Sequence, residues 1–179
     1  MTFHYLQFAA EGLDKERALT DLMQEYGKDV WKYAYFLTLR ADAADDLMQD
    51  TFLKAYRQLG SFRGDASVKT WLFAITRRAF LDYRKSYWIR NVIATGFKQP
   101  EKPVSSAEQE AISAFERQEV WTSVFALPAK LREVLLLYAH YDMDIEEIAQ
   151  LLHIPPGTVK SRMHRARSKI NDRMKEDQP

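Results

Sequence analysis

Three aspartates are spaced so that they could hold a metal ion. Asp46 and Asp50 lie four residues apart with Asp45 beside them, and carboxylates at that spacing share a helix face and suit Mg²⁺. No phosphate-binding glycine loop or pair of nucleophile and base accompanies them, and acidic residues near a helix start also favour the helix dipole. The chain has no cysteine and only four scattered histidines. We therefore predict no enzyme activity, no metal and no cofactor.

The last helical segment, residues 156–171, carries side chains suited to binding DNA. Its apolar residues fall within about 60° on a helical wheel and predict a buried stripe of Val159, Met163, Ala166 and Ile170. The opposite side carries Lys160, Ser161, His164 and Arg165. Lysine and arginine can pair with guanine acceptors, and serine and histidine can reach base edges. Phosphate contacts suit the flanking residues, namely Thr158, Arg162, Arg167 and Lys169.

The segment before this helix contains the signals that would position it. Asp144 followed by Glu147 is a capping-box pattern, which predicts a short helix over residues 145–152. Pro156 is tolerated only in the first turn of a helix, so a new helix is expected to begin there. Two short helices joined by a tight turn predict a helix-turn-helix, whereas the basic helix alone could be a solvated terminal helix.

Basic and aromatic residues are interleaved between residues 62 and 85. Such a surface suits single-stranded DNA, because cations follow the phosphate backbone and aromatic faces stack on unpaired bases. Trp71, Leu72, Ile75 and Ala79 instead have core spacing, so we expect Trp71 to pack rather than to stack on a base. The DNA role therefore falls on the polar members of the segment and on the loop before it.

The helix predicted over residues 43–59 has two different faces. One is apolar and contains Met48, Phe52, Ala55, Tyr56 and Leu59. The other carries Asp46, Gln49, Asp50, Leu53 and Arg57. A leucine among polar residues is a candidate contact anchor, although single exposed apolar residues are also normal on protein surfaces.

The formal net charge of +1 conceals a strong segregation of charge along the chain. Residues 1–60 and 99–155 carry net charges of −3 and −6, whereas residues 61–98 and 156–179 carry +6 and +4. Two basic segments separated by an acidic one indicate two surfaces for a polyanion, although a solvated helix face can also collect basic residues.

Glycine and proline are scarce, with six of each, and no strand-like alternation is present. We predict an all-α chain with helices over residues 15–39, 43–59, 68–88, 108–125, 129–141, 145–152 and 156–171. The first of these helices should bury Leu19, Leu22, Met23, Tyr26, Val30, Ala34 and Leu37. A flexible linker over residues 96–106 should join two small helical domains, residues 1–95 and 107–179, the second a winged-helix-like, four-helix domain containing the helix-turn-helix. No signal peptide or apolar run of eighteen residues is present, so we expect a soluble, cytoplasmic protein.

Residues 127–169 resemble the C-terminal domain of bacterial sigma factors of the extracytoplasmic-function (ECF) group, part of the sigma-70 family. The most characteristic string is residues 157–167, GTVKSRMHRAR. In that family this helix reads the minus-thirty-five promoter element, so the resemblance assigns base contact to Lys160, Ser161, His164 and Arg165. His153 stands where the family usually has glycine, at the turn between the helices, and histidine can adopt the left-handed conformation at modest cost.

The N-terminal half contains two segments that resemble the same family. Residues 43–56, AADDLMQDTFLKAY, are similar to the segment that docks on the clamp helices of the largest RNA polymerase subunit. This similarity implies core binding by Asp46, Gln49, Asp50 and Leu53. Residues 62–85 resemble the region that recognises the minus-ten element and melts the promoter, where a base is extruded from the stack. The implied DNA contacts are Phe62, Arg63, Lys69, Arg77, Arg78, Arg84 and Lys85.

The resemblance implies a sigma factor that binds RNA polymerase core, through the clamp helices and the flap, and initiates transcription at promoter DNA. The family commonly pairs with a membrane-anchored anti-sigma factor. Residues 87–93, YWIRNVI, could serve such a partner or could extend the third helix into the core. The residues alone also allow two other classes of protein, namely a dimeric regulator that binds operators unaided and a magnesium-dependent helical enzyme.

Overall fold

The computed structural model describes residues 15–94 and 119–176, which form seven α-helices and one short 3-10 helix. The N-terminal elements are α1 (Lys15–Thr38), α2 (Ala41–Gln58), the 3-10 helix (Leu59–Ser61) and α3 (Val68–Ala94). The C-terminal elements are α4 (Glu119–Phe125), α5 (Ala129–Ala139), α6 (Ile145–Leu152) and α7 (Pro156–Glu176). Within these residues no strand occurs, and the all-α prediction is confirmed.

The chain divides into two compact units, Met1–Pro103 and Val104–Pro179. The predicted linker, residues 96–106, and the first part of the helix predicted over 108–125 lie outside the described residues. Helix α3 runs to Ala94, beyond its predicted end at residue 88, so its backbone includes residues 87–93. The side chains of that segment also lie outside the described residues, and a partner role for it stays a prediction.

The N-terminal unit is a three-helix assembly in which α1, α2 and α3 all pack on one another. Small and apolar side chains let the three helices approach closely, and Ala34, Ala44, Leu47 and Ala79 form one buried cluster. Aromatic residues pack around this cluster from its partly exposed rim, namely Trp31, Tyr35, Phe80 and Tyr83. This packing holds α2 and α3 in a defined register.

Two buried threonines join α2 to α3. Thr51 Oγ1 lies 3.2 Å from Thr76 Oγ1, and both side chains are fully buried. The Thr76 hydroxyl donates to the Leu72 carbonyl and accepts from Thr51, whose single proton is shared with the Leu47 carbonyl at 2.7 Å, so the buried polar groups are satisfied. The outward faces of the two helices are thereby fixed relative to each other.

One predicted core position is wrong. Met23 is 46% exposed, whereas Leu22, Val30, Ala34 and Leu37 on the same helix are buried as expected. Ala34 lies eleven residues beyond Met23, about three helical turns along the same side of α1. That side is covered where Ala34 meets the α2 residues of the buried cluster, but not near the start of the helix.

The C-terminal unit packs α4, α5 and α6 against α7. Its core cluster contains Val124, Leu127, Leu131, Leu135 and Ala166, with Trp121 and Ile170 against it. A buried Arg132 fixes the turn between α4 and α5, because one guanidinium nitrogen donates to the carbonyls of Phe125 and Leu127, each at 3.0 Å. Burial lowers the pKa of Arg132, and neighbouring Glu133 acts in the opposite direction.

Candidate nucleic-acid interface

The capping box predicted at the start of α6 is present. The Asp144 carboxylate accepts a hydrogen bond from the Glu147 backbone at 2.7 Å, and Glu147 Oε2 accepts from the Asp144 backbone at 3.0 Å. These bonds satisfy amide groups that a helix start leaves unpaired. Helix α6 therefore begins at Ile145, as predicted, and buries Ile148, Ala149, Leu151 and Leu152.

The turn after α6 depends on a left-handed residue at His153, whose φ is 51°. The His153 amide donates to the Gln150 backbone carbonyl at 3.2 Å, and the Ile154 amide donates to the Ala149 backbone carbonyl at 3.0 Å. This pair of bonds is the Schellman arrangement that closes a helix end. The chain then enters α7 at Pro156, where Pro155 accepts from two amides of the first turn. The predicted helix-turn-helix is thus formed.

Helix α7 presents the predicted polar face to solvent. Val159, Met163 and Ala166 are buried and Ile170 packs at the edge of the core. On the opposite side the exposed residues include Lys160, Ser161, His164 and Arg165, while Thr158 and Arg162 are half-buried at its margins. A recognition helix enters the major groove of DNA in this arrangement, with its apolar side packed on the domain and its cationic side facing outward.

Two arginines of α7 make contacts that the sequence did not reveal. Arg165 folds back on Ser161, with its Nε 3.3 Å from the Ser161 carbonyl and its Nη2 3.3 Å from the Ser161 hydroxyl. Arg167 lies over the ring of Tyr138 on α5, 5.5 Å from its centroid, although its side chain remains exposed. Arg165 is therefore held on the solvent face, whereas Arg167 is directed towards α5.

The basic and aromatic segment of the N-terminal unit begins with an aromatic pair. Phe62, in the loop before α3, and Trp71, in its second turn, are half-buried with ring centroids 5.0 Å apart. Ser67 caps α3 by accepting from the Thr70 amide at 3.0 Å. Trp71 thus packs, but on a surface loop residue rather than deep inside.

The predicted cations of this segment occupy different environments. Lys69, in the first turn of α3, pairs with Asp29 of α1 at 2.8 Å, so it already has an acidic partner. Arg63 is exposed in the loop and Arg77 is half-buried. Arg78, Arg84 and Lys85 are exposed, and Arg84 lies 5.9 Å from the centroid of Phe80. From Lys69 to Lys85 the helix rises by about 24 Å, which is long enough to follow several nucleotides.

The polar face of α2 is also exposed. Asp46, Gln49 and Leu53 are exposed, and Leu53 is 56% accessible. Asp50 is half-exposed and pairs with Lys54 at 2.7 Å. Asp45 instead accepts a 2.7 Å hydrogen bond from the Trp31 indole. Among the described residues no group of three or more histidine or acidic side chains is arranged to hold a metal ion.

An apolar hollow of about 280 Å³ lies on the C-terminal unit. It is lined by Trp121, Val124, Leu135, Leu136, Ala139, His140 and Ile170. His140 stands edge-on to Trp121, with ring centroids 5.7 Å apart. The hollow is lined by α4, α5 and α7 and lies within one unit.

Sequence reasoning missed three partners of the predicted site residues. The pairing of Asp50 with Lys54 could have been predicted from the sequence, because an aspartate and a lysine four residues later commonly form an ion pair on a helix. The contacts of Asp29 with Lys69 and of Tyr138 with Arg167 were not predictable, since in each pair the two residues lie on different helices.

In the described part of the chain no helix is long and apolar enough to cross a membrane.

Two protein families and several known proteins are similar to this chain. Residues 22–93 match the family described as Sigma-70 region 2, and residues 117–170 match Sigma-70, region 4. RNA polymerase sigma factor YlaC of Bacillus subtilis is 30% identical, over 88% of this chain and 92% of that protein. The ECF RNA polymerase sigma-E factor of Escherichia coli K12 is 33% identical, over 72% of each chain.

Two solved structures have similar folds. CnrH, solved in complex with the cytosolic domain of CnrY, is 25% identical with a TM-score of 0.67 and 96% coverage of both chains. The sigma factor RpoE of Bartonella quintana, solved with the anti-sigma factor NepR, is 26% identical with a TM-score of 0.66. That match covers 88% of this chain and 99% of RpoE.

The chain belongs to the sigma-70 family of RNA polymerase sigma factors, within its ECF group. It is a promoter-recognising transcription initiation factor, whose partners are RNA polymerase core and promoter DNA.

Proposed function

We propose that this chain carries RNA polymerase core to promoters with two elements. Residues 1–95 would bind core, recognise the minus-ten element and assist melting, and residues 107–179 would read the minus-thirty-five element, with residues 96–106 as the linker. The acidic face of α2 is the observation that carries the proposal, because carboxylates repel DNA and this face exposes a leucine as well. Binding to operator DNA alone does not account for such a face.

At the minus-thirty-five element, α7 would lie in the major groove. Arg165 is the strongest candidate for a bidentate guanine contact, since its guanidinium is exposed and held by Ser161. Lys160 and His164 would reach neighbouring base edges, and the Ser161 hydroxyl would act beside Arg165. Phosphate contacts would come from the flanking residues, namely Thr158, Arg162 and Arg167.

At the minus-ten element, the loop before α3 and the outer side of α3 would hold the separated strand. Phe62, supported by Trp71, offers an aromatic surface at one end of the segment. The exposed cations would track the phosphates, namely Arg63, Arg78, Arg84 and Lys85, with half-buried Arg77 beside them. Lys69 is the weakest of these candidates, because its ammonium is paired with Asp29.

Core polymerase would dock on α2 and, separately, on the C-terminal unit. Leu53 would be the apolar anchor of the first contact, with Asp46, Gln49 and Asp50 pairing around it. The apolar hollow beside Trp121 and Ile170 is of a size to take side chains of a helix, and we place the polymerase flap there. The chemistry of RNA synthesis would remain with the polymerase, so no catalytic residue is assigned to this chain.

Regulation by an anti-sigma factor forms part of the proposal. CnrH and RpoE were both solved with a partner protein, and RpoE with an anti-sigma factor. A partner that covered α2 or the apolar hollow would exclude core polymerase from the same surface. The site of action would be the cytoplasm, where polymerase and chromosome are found.

Transcription in a purified system tests this function. The chain would be mixed with core polymerase and fragments of bacterial chromosomal DNA, and the 5′ ends of the transcripts mapped. We expect new start sites that share two upstream motifs and that are absent with core alone. A chain that binds duplex operators tightly by itself, and does not associate with core, would contradict the proposal.

A further inference from the structure

Lys54 lies between two surfaces that the proposed function treats separately. Its ammonium is 2.7 Å from the Asp50 carboxylate on α2 and 4.0 Å from the Asp82 carboxylate on α3. The Lys54 side chain is only 29% exposed, so its aliphatic part is held between the helices. Asp50 belongs to the proposed polymerase-docking face, and a single cation therefore joins that face to α3.

Asp82 is the acidic residue within the proposed DNA-contacting side of α3. It follows Arg78 by four residues and precedes Lys85 by three, a spacing that places all three on one side of the helix. Its side chain is 68% exposed, so an unneutralised carboxylate there would repel a phosphate backbone. In the described part of the chain, Arg78 and Lys85 enter no ion pair, and the cation within 4.0 Å of Asp82 is Lys54.

We infer that Lys54 is a positioning residue that couples polymerase docking on α2 to promoter contact on α3. The inference rests on the proposed function. A polymerase cation that pairs with Asp50 competes with Lys54 for this carboxylate and repels the Lys54 ammonium. The Lys54 ammonium then pairs more closely with the Asp82 carboxylate, and Asp82 repels the phosphate backbone less. Core binding thereby strengthens the hold of α3 on the DNA strand.

The test uses the full chain, core polymerase and a promoter mapped as above. Lys54→Met keeps the aliphatic stem but removes the charge, so Asp50 stays free for polymerase while Asp82 is left unneutralised. We expect core affinity in the absence of DNA to be unchanged or raised. At saturating core polymerase, the amount of promoter complex should fall by about two- to five-fold, which is the range for a partly exposed ion pair. The fall should be smaller at high salt, because salt screens the charges.

A second substitution separates this coupling from a packing defect. Adding Asp82→Asn to Lys54→Met should restore promoter complexes to within about two-fold of the unaltered chain, since the repelling charge is gone. Lys54→Arg should retain most of the coupling. Lys28→Met, which removes an exposed lysine of α1, is the matched control for loss of one positive charge and should have little effect.

Two results would overturn the inference. In the first, Lys54→Met lowers core affinity and promoter complexes together, and Asp82→Asn rescues neither, as a purely structural role of Lys54 requires. In the second, Lys28→Met lowers promoter complexes as much as Lys54→Met does. If the unaltered chain forms no promoter complex with core, the proposed function itself fails and the inference falls with it.

Discussion

Leu53 and Met23 are two exposed apolar side chains on neighbouring helices, 56% and 46% accessible. At helical spacing, Gln49 and Asp50 stand beside Leu53, whereas no acidic or amide residue lies three or four positions from Met23. We expect Leu53→Ala to weaken binding to core polymerase by about 1–2 kcal/mol, as for an anchor residue of an interface. The free energy of unfolding should change by less than about 0.5 kcal/mol, because the side chain is largely exposed.

Competition for a limiting amount of core polymerase measures this effect, with thermal unfolding of the free chain as the second readout. Met23→Ala is the matched control and should leave core affinity unchanged. If both substitutions weaken binding equally, α2 is not the specific docking face.

Arg165 and Arg167 lie on the same helix, but the structure gives them different surroundings. Arg165 is held on the exposed face by Ser161, whereas Arg167 lies over Tyr138. We expect Arg165→Ala to cost about 1–3 kcal/mol on a matched minus-thirty-five duplex, and much less on a scrambled one. Arg167→Ala should give a smaller loss that is the same on both duplexes.

Equilibrium binding of the chain with core polymerase to the two duplexes, at one fixed salt concentration, measures these differences. An Arg165→Ala loss that is equal on both sequences would show a phosphate contact rather than base recognition.

At the scale of elements, the turn of the helix-turn-helix carries a strain that can be removed. His153 has a φ of 51°, a conformation that costs little for glycine and more for residues with a Cβ. Histidine tolerates it better than β-branched residues do. We expect His153→Gly to stabilise the C-terminal unit by about 0.5–1 kcal/mol, and His153→Val to destabilise it.

Hydrogen exchange of the slowest amides in α6 and α7 measures this stability within the C-terminal unit alone. His153→Ala serves as the control, since alanine also has a Cβ and should gain little. Slower exchange with valine than with glycine would contradict the proposed strain.

Helix starts that depend on local chemistry were predictable, whereas the burial of a single residue, which depends on packing between helices, was not. The Asp144 and Glu147 capping box and Pro156 marked the starts of α6 and α7, and both helices begin as predicted. Met23 was misassigned although Ala34, on the same side of α1, is buried, so its exposure depends on which neighbouring residues cover that part of the helix. Periodicity within one helix carries no information about the extent of its neighbour.

At the scale of the whole molecule, the segregation of charge along the sequence anticipated two cationic surfaces. The structure locates exposed cations on α3 and on α7, one helix in each unit. What the sequence could not supply was the pairing of those cations, because the Lys69 and Asp29 pair joins residues forty positions apart. The Lys54 contact with Asp82 likewise requires α2 and α3 to lie side by side.

The proposed function requires the two units to read two separate promoter elements. Run-off transcription from a mapped promoter tests it directly, with the minus-ten and the minus-thirty-five element replaced separately and the chain altered at Arg78→Ala or Arg165→Ala. We predict that Arg165→Ala weakens the sensitivity to the minus-thirty-five replacement and leaves the sensitivity to the minus-ten replacement unchanged. Arg78→Ala should lower transcription from every template by the same factor, because a phosphate contact carries no sequence information. Transcription that responds to neither replacement, or an Arg165→Ala chain that loses both sensitivities alike, would contradict the proposed function.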